Sequence, residues 1–276
     1  MRTRADDATT VAVQAQREKL LRPLQLPRWQ TLLSIAIVFG VIAWSASGTE
    51  LSVQKFARGV PRFIEFFGQL WPPDRAYWRK MLSPIAITLQ MAVLGTLLSM
   101  ILSFPIALLA ANNTSPHISV YQATRFFLNV VRSIAPLVWA VIIVASVGFG
   151  PFAGVLALGV AGIGTLGKLY AEAIEAISPR PIEALRATGS SSLPIFTFAV
   201  LPQALPLLIS YTLLDFEGNL RSATILGIVG AGGIGFELQA SFEQFRFHQV
   251  FTIILMIVIV VTVIDRISAF VRRKVT

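Results

Sequence analysis

The sequence predicts an all-α polytopic membrane protein with about six transmembrane helices. Hydrophobic residues make up 55% of the chain and charged residues only 13%, whereas soluble domains carry roughly 25% charged residues. The charges are also clustered, so that long uncharged segments lie between them. Both observations fit a chain that is surrounded by an apolar bilayer rather than by water.

Six apolar segments approach the ~20 residues that are needed to cross the hydrocarbon core. They cover residues 31–47, 84–111, 126–147, 152–170, 194–214 and 247–264. We expect Pro84 to open the second helix, residues 112–116 to end it, and residues 148–151 to turn the chain between the third and the fourth. The first segment begins near residue 30 and only loosely resembles a signal peptide, so an uncleaved helix is favoured.

The basic residues predict that both termini lie in the cytoplasm. The tail before the first span holds six lysines or arginines, and four more basic residues lie near the C-terminus, in accord with the positive-inside rule. The net charge of +9 is therefore attributed to topology, and no nucleic-acid partner is expected. Residues 48–83 hold another six basic residues on the outer side, against this rule. Trp71, Tyr77 and Trp78 predict an interfacial helix there, along the outer surface.

The rare residue types restrict the chemistry. The chain has no cysteine and two histidines, which excludes thiolate sites and disulfides and argues against a histidine-rich metal site. We therefore expect no catalytic residue, no metal and no cofactor in this chain. Two alternatives are an ion-coupled secondary transporter, which requires an acidic residue at mid-membrane depth, and a membrane-embedded enzyme, which requires a cluster of reactive side chains. The predicted spans hold almost no acidic residue before Asp265, and no such cluster is apparent.

A short helix of about two turns is predicted between the fourth and fifth segments. Pro181 suits its first turn, Glu183 complements the dipole at its N-terminus, and Gly189 provides a C-terminal stop. With six spans and both termini inside, this loop faces the cytoplasm. An ordinary connecting loop is the alternative interpretation.

These residues resemble the EAA loop of ABC import permeases. Glu183 and Ala184 are followed by Gly189 six residues after the glutamate and by Pro202 nineteen residues after it, which are the spacings of that motif. In that family the short helix docks on a cytoplasmic ATPase and transmits the closure of the ATPase to the membrane helices. A helix bounded by proline and glycine has the rigidity that such coupling requires.

The motif is matched with three departures. Leu185 replaces the second alanine, Thr188 replaces a frequent aspartate, and Ala199 replaces the usual isoleucine. The resemblance implies a set of ATPase-coupling residues in this chain: Glu183, Ala184, Leu185, Arg186, Gly189 and Pro202.

A more specific resemblance is to the phosphonate importer permeases. It lies in residues 217–235, 132–136 and 148–151, and it extends over about residues 80–272. It implies a type I ABC importer permease domain over residues 84–272 with a coupling loop at 173–193. Residues 1–28 would then be a cytoplasmic tail, and residues 29–83 would form the first helix and an external amphipathic loop.

The same resemblance implies partners and cargo. We expect a homodimer in the bacterial cytoplasmic membrane, in contact with lipid. Two cytoplasmic ATPase subunits would bind ATP and Mg, and an external binding protein would deliver phosphonate, phosphate or phosphite. Methionine-type permeases share the glycine pattern more loosely, so methionine or another small solute is an alternative cargo.

Two glycine-rich segments imitate nucleotide-binding motifs. Residues 162–169 nearly match a P-loop, but Leu169 replaces the magnesium-binding hydroxyl and the segment lies in a predicted membrane helix. Close helix packing explains its small residues better. Residues 230–235 match a dinucleotide fingerprint without the surrounding βαβ unit. A broken or re-entrant helix is the preferred interpretation, and a plain external loop is the alternative. The gate residues would be Gly230, Gly232, Gly233 and Gly235.

Polar residues within the apolar segments are candidates for the substrate pathway. Arg132 is costly at membrane depth unless it faces protein or water, and Arg221 can bind an oxyanion with two hydrogen bonds. A position near the membrane surface is the alternative for Arg132, and a salt bridge to Glu217 or Asp215 is the alternative for Arg221. The full set of pathway candidates is Asn129, Arg132, Ser133, Asn219, Arg221, Ser222 and Thr224. Lys168 and Glu172, one helical turn apart, are expected to pair locally.

Overall fold

The computed structural model describes residues 28–49 and 52–275, which form helices and turns and, within those ranges, no strand. The predicted N-terminal tail lies outside the described residues, apart from the first helical residue, Arg28. The helices are α1 (Arg28–Gly48), α2 (Val53–Leu70), α3 (Tyr77–Ala110), α4 (Ile118–Ser133), α5 (Pro136–Val147), α6 (Pro151–Glu175), α7 (Arg180–Ala187), α8 (Ser192–Ile195), α9 (Leu201–Leu226), α10 (Gly233–Glu243) and α11 (Phe247–Val275).

The predicted count of six membrane spans is confirmed when one bent pair of helices is taken as a single span. Five helical stretches in the described residues are long and apolar enough to cross a membrane, and α4 with α5 forms the sixth across a bend of 85°. The described residues divide into two compact units between Glu65 and Phe66.

The first unit consists of α1 and most of α2. Ser52 caps α2, because its hydroxyl accepts a hydrogen bond from the Lys55 backbone N–H at 3.2 Å. The amphipathic helix predicted in this loop is present, but it ends at Leu70. Trp71 follows it, while Tyr77 and Trp78 belong to α3, so the three aromatic residues flank the helix rather than forming it.

α3 begins at Tyr77 and not, as predicted, at Pro84. Asp74 determines this start, because its Oδ1 accepts hydrogen bonds from the backbone N–H groups of Ala76 and Tyr77 at 2.9 and 3.3 Å. Pro84 therefore lies inside the helix. The predicted end is confirmed, since α3 ends at Ala110, directly before the turn at residues 111–114.

The predicted third span is broken near its middle. α4 ends at Ser133, and α5 begins at Pro136. Proline disfavours the helical conformation in the residue before it, and Ala135 is extended, with φ −63° and ψ 146°. The predicted hairpin turn at residues 148–151 is confirmed, with positive φ at Gly148 and Gly150.

α6 lies at the centre of the second unit and packs against α3, α4, α5 and α9. Its small residues permit the predicted close approach to neighbouring helices. A Cβ added at Gly159 would clash with the side chain of Leu98, and one added at Gly162 would lie 2.6 Å from Ser99 Cβ. The hydroxyl of Ser99 donates to the Gly159 carbonyl at 3.1 Å, which fixes the contact between α3 and α6.

The fifth and sixth spans are longer than predicted. A π-helical segment, Phe196–Val200, joins α8 to α9, and α9 continues past Asp215 to Leu226. α11 continues past residue 264 to Val275. Charged side chains are accommodated in both helices because they pair across α9 and α11: Glu217 with Arg272 at 3.0 Å and Arg221 with Asp265 at 3.4 Å.

Candidate coupling helix and polar groove

α7 is the two-turn helix that was predicted between the fourth and fifth spans. Glu183 lies in its first turn, and the Glu183 N–H donates to the Pro179 carbonyl at 3.0 Å. Glu183, Ala184 and Arg186 are exposed, whereas Ile182 and Leu185 are half-buried. Ile182 packs against the core formed by α3, α4, α6 and α9. One edge of α7 is thus anchored, and the opposite edge is open to another molecule.

Gly189 ends α7 in a left-handed conformation with a φ of 76°. Its N–H donates to the Arg186 carbonyl at 3.0 Å, and the Ser190 N–H donates to the Leu185 carbonyl at 3.3 Å. No atom lies within 4 Å of the position that a Cβ would occupy. Glycine is therefore required here by backbone conformation and not by space.

The segment before α7 is held by side chains that the sequence did not single out. Glu175, the last residue of α6, accepts from Arg125 Nη2 on α4 and from the Asn112 N–H, both at 2.7 Å. Asn113 Nδ2 donates to the Ile174 carbonyl at 2.7 Å. The base of the predicted coupling loop is therefore joined to the turn between α3 and α4.

Gln203 holds the same segment from the side of α9. Its Oε1 accepts from the Ser178 N–H at 3.1 Å, and its Nε2 donates to the Ala199 carbonyl at 2.6 Å. Pro202, the neighbouring residue, is exposed and is the second residue of α9, which directly follows the π-helical segment. The Leu201 N–H bonds to the Phe196 carbonyl, five residues earlier. Since Pro202 itself has no N–H, the irregular hydrogen bonding falls at this junction.

A polar groove lies between α5, α6 and α9. Its polar lining comes from Thr165, Asp215, Asn219 and Ser222, beside Gly162 and Pro136. Asn219 is buried, and its Nδ2 donates to Asp215 Oδ2 and to Thr96 Oγ1, both at 2.9 Å. Asp215 was not predicted as a site residue, because the fifth span was expected to end before it, and Thr165 was attributed to helix packing.

The structure does not bring the predicted pathway residues together. Asn219 and Ser222 line the polar groove, whereas Thr224 lines a small apolar cavity beside Ile85 and Ile234. Arg221 forms a salt bridge, as in the alternative interpretation, but its partner is Asp265 rather than Glu217 or Asp215. The reason is rotation along α9: residues 215, 218, 219 and 222 share one side, and residues 217, 221 and 224 share another.

The α4 candidates form a separate group. Asn129, Arg132 and Ser133 are exposed in the last turns of α4, where Ser133 Oγ donates to the Asn129 carbonyl at 2.7 Å. Lys168 Nζ lies 3.5 Å from Asn129 Oδ1, so the expected local pair of Lys168 with Glu172 is replaced by a contact between α6 and α4.

The glycine-rich segment after α9 is a break in the helix. Val229 and Gly230 have non-helical backbone angles, and Gly230, Gly232 and Gly233 have positive φ. A Cβ at Gly235 would overlap the Thr224 carbonyl oxygen. The Gly230 carbonyl accepts from the Gly150 N–H at 3.0 Å. The prediction of a broken helix at this point is confirmed.

Comparison with known proteins places this arrangement in a family. Residues 103–276 match the family described as binding-protein-dependent transport system inner membrane component. The phosphite transport system permease protein PtxC of Stutzerimonas stutzeri is 39% identical over 261 residues, which cover 94% of each chain. The chain belongs to this family. It is a multi-pass permease of the bacterial inner membrane.

Two further similarities support the assignment of this permease. A putative cryptic phosphonate transport system permease protein, PhnE2 of Escherichia coli K12, is 47% identical over 118 residues, covering 43% of this chain and 97% of the other. A solved structure of an inward-facing MetNI methionine ABC transporter aligns with a TM-score of 0.65 and 22% identity, over 74% of this chain and 99% of the other. At that identity the structural similarity concerns the fold, which is that of a type I importer permease.

Proposed function

We propose that this permease is one half of a homodimer that imports a phosphorus oxyanion at the expense of ATP hydrolysed by two partner ATPase subunits. An external binding protein delivers the anion. Relatives named for phosphite and phosphonate transport support this cargo class, and phosphate belongs to the same class. The ATP and Mg are held by the partner subunits, and this chain performs no covalent chemistry on its cargo.

The observation that carries the proposal is the geometry of α7. Glu183, Ala184 and Arg186 are exposed on one edge of α7. The other edge packs through Ile182 against the core formed by α3, α4, α6 and α9. With both termini in the cytoplasm, this exposed edge faces the ATPase. Closure of the ATPase displaces α7. The ion pair of Glu175 with Arg125 transmits this displacement to α6 and α4, and the hydrogen bond of Gln203 with Ser178 transmits it to α9. Gly189 and Pro202 fix the two ends of the segment that moves.

The cargo pathway is proposed along the polar groove and the end of α4. Asn219 and Ser222 supply hydrogen-bonding groups to the groove, and Arg132, with Asn129 and Ser133, supplies an exposed positive charge. Arg221 is paired with Asp265 in this conformation, so its contribution to anion binding requires that pair to open. Thr224 has its hydroxyl bonded to the Leu220 carbonyl and makes the weakest candidate. The residues Gly230, Gly232, Gly233 and Gly235 are proposed as the gate.

Uptake by proteoliposomes that contain the permease, its ATPase and its binding protein tests the proposal. We expect ATP-dependent accumulation of phosphite, phosphate or methylphosphonate and none of methionine. The Glu183→Ala variant is expected to hydrolyse ATP without uptake, while Glu65→Ala, another exposed glutamate, transports normally. Uptake without ATP, or normal coupling in the Glu183 variant, would overturn the proposed mechanism. Accumulation of methionine alone would overturn the cargo but leave the coupling intact.

A further inference from the structure

α2 separates its residue types onto two opposite sides. An α-helix turns about 100° per residue. In α2, six of the large apolar residues that precede Leu70 therefore fall within an arc of about 100°, and Phe66 lies outside this arc. The six residues are Val53, Phe56, Val60, Phe63, Ile64 and Phe67. Lys55, Arg58 and Arg62 fall within an arc of about 60° on nearly the opposite side. The helix therefore has an aromatic, apolar face and a basic face.

Much of the apolar face is accessible to solvent. Its six residues are between 42% and 81% exposed, which is far more than a core-facing helix shows. The helix is attached along a different edge: Phe66 packs edge-on against Phe247 at 5.1 Å, and Leu70 is buried. This attachment lies at the C-terminal end of α2.

The covalent connections place α2 along a membrane surface. α1 and α3 both have the length and hydropathy of membrane spans. Only four residues join α1 to α2, and only six join α2 to α3. An extended chain covers at most ~3.6 Å per residue, whereas α2 is about 27 Å long at 1.5 Å per residue. Both of its ends are thus held near points where the chain crosses the membrane surface, so the helix axis lies along that surface.

We propose that α2 lies in the head-group layer of the membrane and binds anionic phospholipids. Its phenylalanine face enters the acyl-chain boundary by about 5–10 Å, as amphipathic interfacial helices do. Lys55, Arg58 and Arg62 extend toward lipid phosphates, which complement their charge. Glu65 is the single acidic residue on the helix. The proposal does not depend on the transported cargo.

Depth measurements on labelled full-length permease test the position of the helix. The chain has no cysteine, so Val60→Cys and Gln54→Cys each give one nitroxide site, on the apolar and the polar side. In nanodiscs that contain phosphatidylglycerol, the label at residue 60 should be accessible to oxygen and shielded from a water-soluble nickel reagent. The label at residue 54 should show the reverse. Equal access of nickel to both labels would mean that α2 is free in water, and shielding of residue 60 from both reagents would mean that protein covers it. Either result overturns the proposal.

Charge variants test the lipid contact. With wild-type basic residues, the label at residue 60 should be several-fold less mobile in phosphatidylglycerol than in phosphatidylcholine. The triple variant Lys55→Gln, Arg58→Gln, Arg62→Gln should lose this difference. The matched triple variant Arg75→Gln, Arg79→Gln, Lys80→Gln removes the same charge outside α2 and should retain it. Equal loss in both variants, no lipid dependence in the wild type, or immobilisation by inorganic phosphate in phosphatidylcholine nanodiscs would each overturn the proposal.

Discussion

Arg125 Nη2 lies 2.7 Å from Oε2 of Glu175, and this ion pair joins α4 to the end of α6, shortly before α7. The guanidinium also donates through Nε to the Ala110 carbonyl at 3.1 Å and lies over the ring of Tyr121. The end of α3, the middle of α4 and the end of α6 therefore meet at one arginine. A displacement of α7 that moves Glu175 must also move α4.

A double-mutant cycle measures this contact. We expect Arg125→Gln and Glu175→Gln each to lower the free energy of unfolding by about 1–3 kcal/mol, because each leaves a hydrogen-bonding partner unsatisfied. The double variant should be destabilised by less than the sum of the two, since both substitutions remove the same bond. Thermal unfolding in detergent provides the measurement. Strict additivity would contradict the role of the pair.

The left-handed conformation of Gly189 predicts an effect on coupling. Alanine at this position should strain the end of α7 by about 1–2 kcal/mol, the penalty for a residue with a Cβ in this region. Uptake per ATP hydrolysed should fall for Gly189→Ala and recover for Gly189→Asn, since asparagine tolerates the conformation. Gly59→Ala is the control, because Gly59 is helical and also has open space around it. Equal uptake per ATP in all four proteins would argue against a conformational requirement at Gly189.

The contact between α3 and α6 predicts a compensating pair of substitutions. In Gly162→Ala the new methyl group meets Ser99, and overpacking of this kind is destabilising by about 1–3 kcal/mol. Adding Ser99→Gly removes the obstructing side chain and should restore part of the lost stability. Gly40→Ala on α1, where no atom lies within 4 Å, should be nearly neutral. Melting temperatures of the wild type and the three variants provide the measurement, and an unchanged Gly162→Ala protein would show that the helices can separate there without loss.

The two ion pairs between α9 and α11 are expected to differ in strength. Glu217 is 8% exposed at its side chain, whereas Asp265 is 41% exposed. Removing the cation of this pair leaves the buried Glu217 carboxylate without it, so Arg272→Gln should be destabilising by about 3 kcal/mol. Asp265→Ala should change stability by less than ~1 kcal/mol. Chemical unfolding in mixed micelles compares them. The opposite order would show that exposure does not govern these pairs.

The sequence was sufficient for features that depend on local pattern. The short helix α7 followed from Pro181, Glu183 and Gly189, and the close helix packing followed from the small residues of α6. The lengths of α9 and α11 could not be predicted, because their charges are compensated by residues that are distant in the chain. Glu217 and Arg272 form one such pair. If α9 had been known to extend past Asp215, helical periodicity would have placed Asn219 and Arg221 on different sides of this helix.

The hydrogen bond from the Gly150 N–H to the Gly230 carbonyl links two turns that are eighty residues apart. Neither group belongs to an intact helical ladder, so α9 and α10 can change their mutual angle at Gly230 without breaking a regular helical hydrogen bond. The same bond obliges the turn between α5 and α6 to follow. A movement at the glycine break that keeps this hydrogen bond therefore carries the turn between α5 and α6 with it.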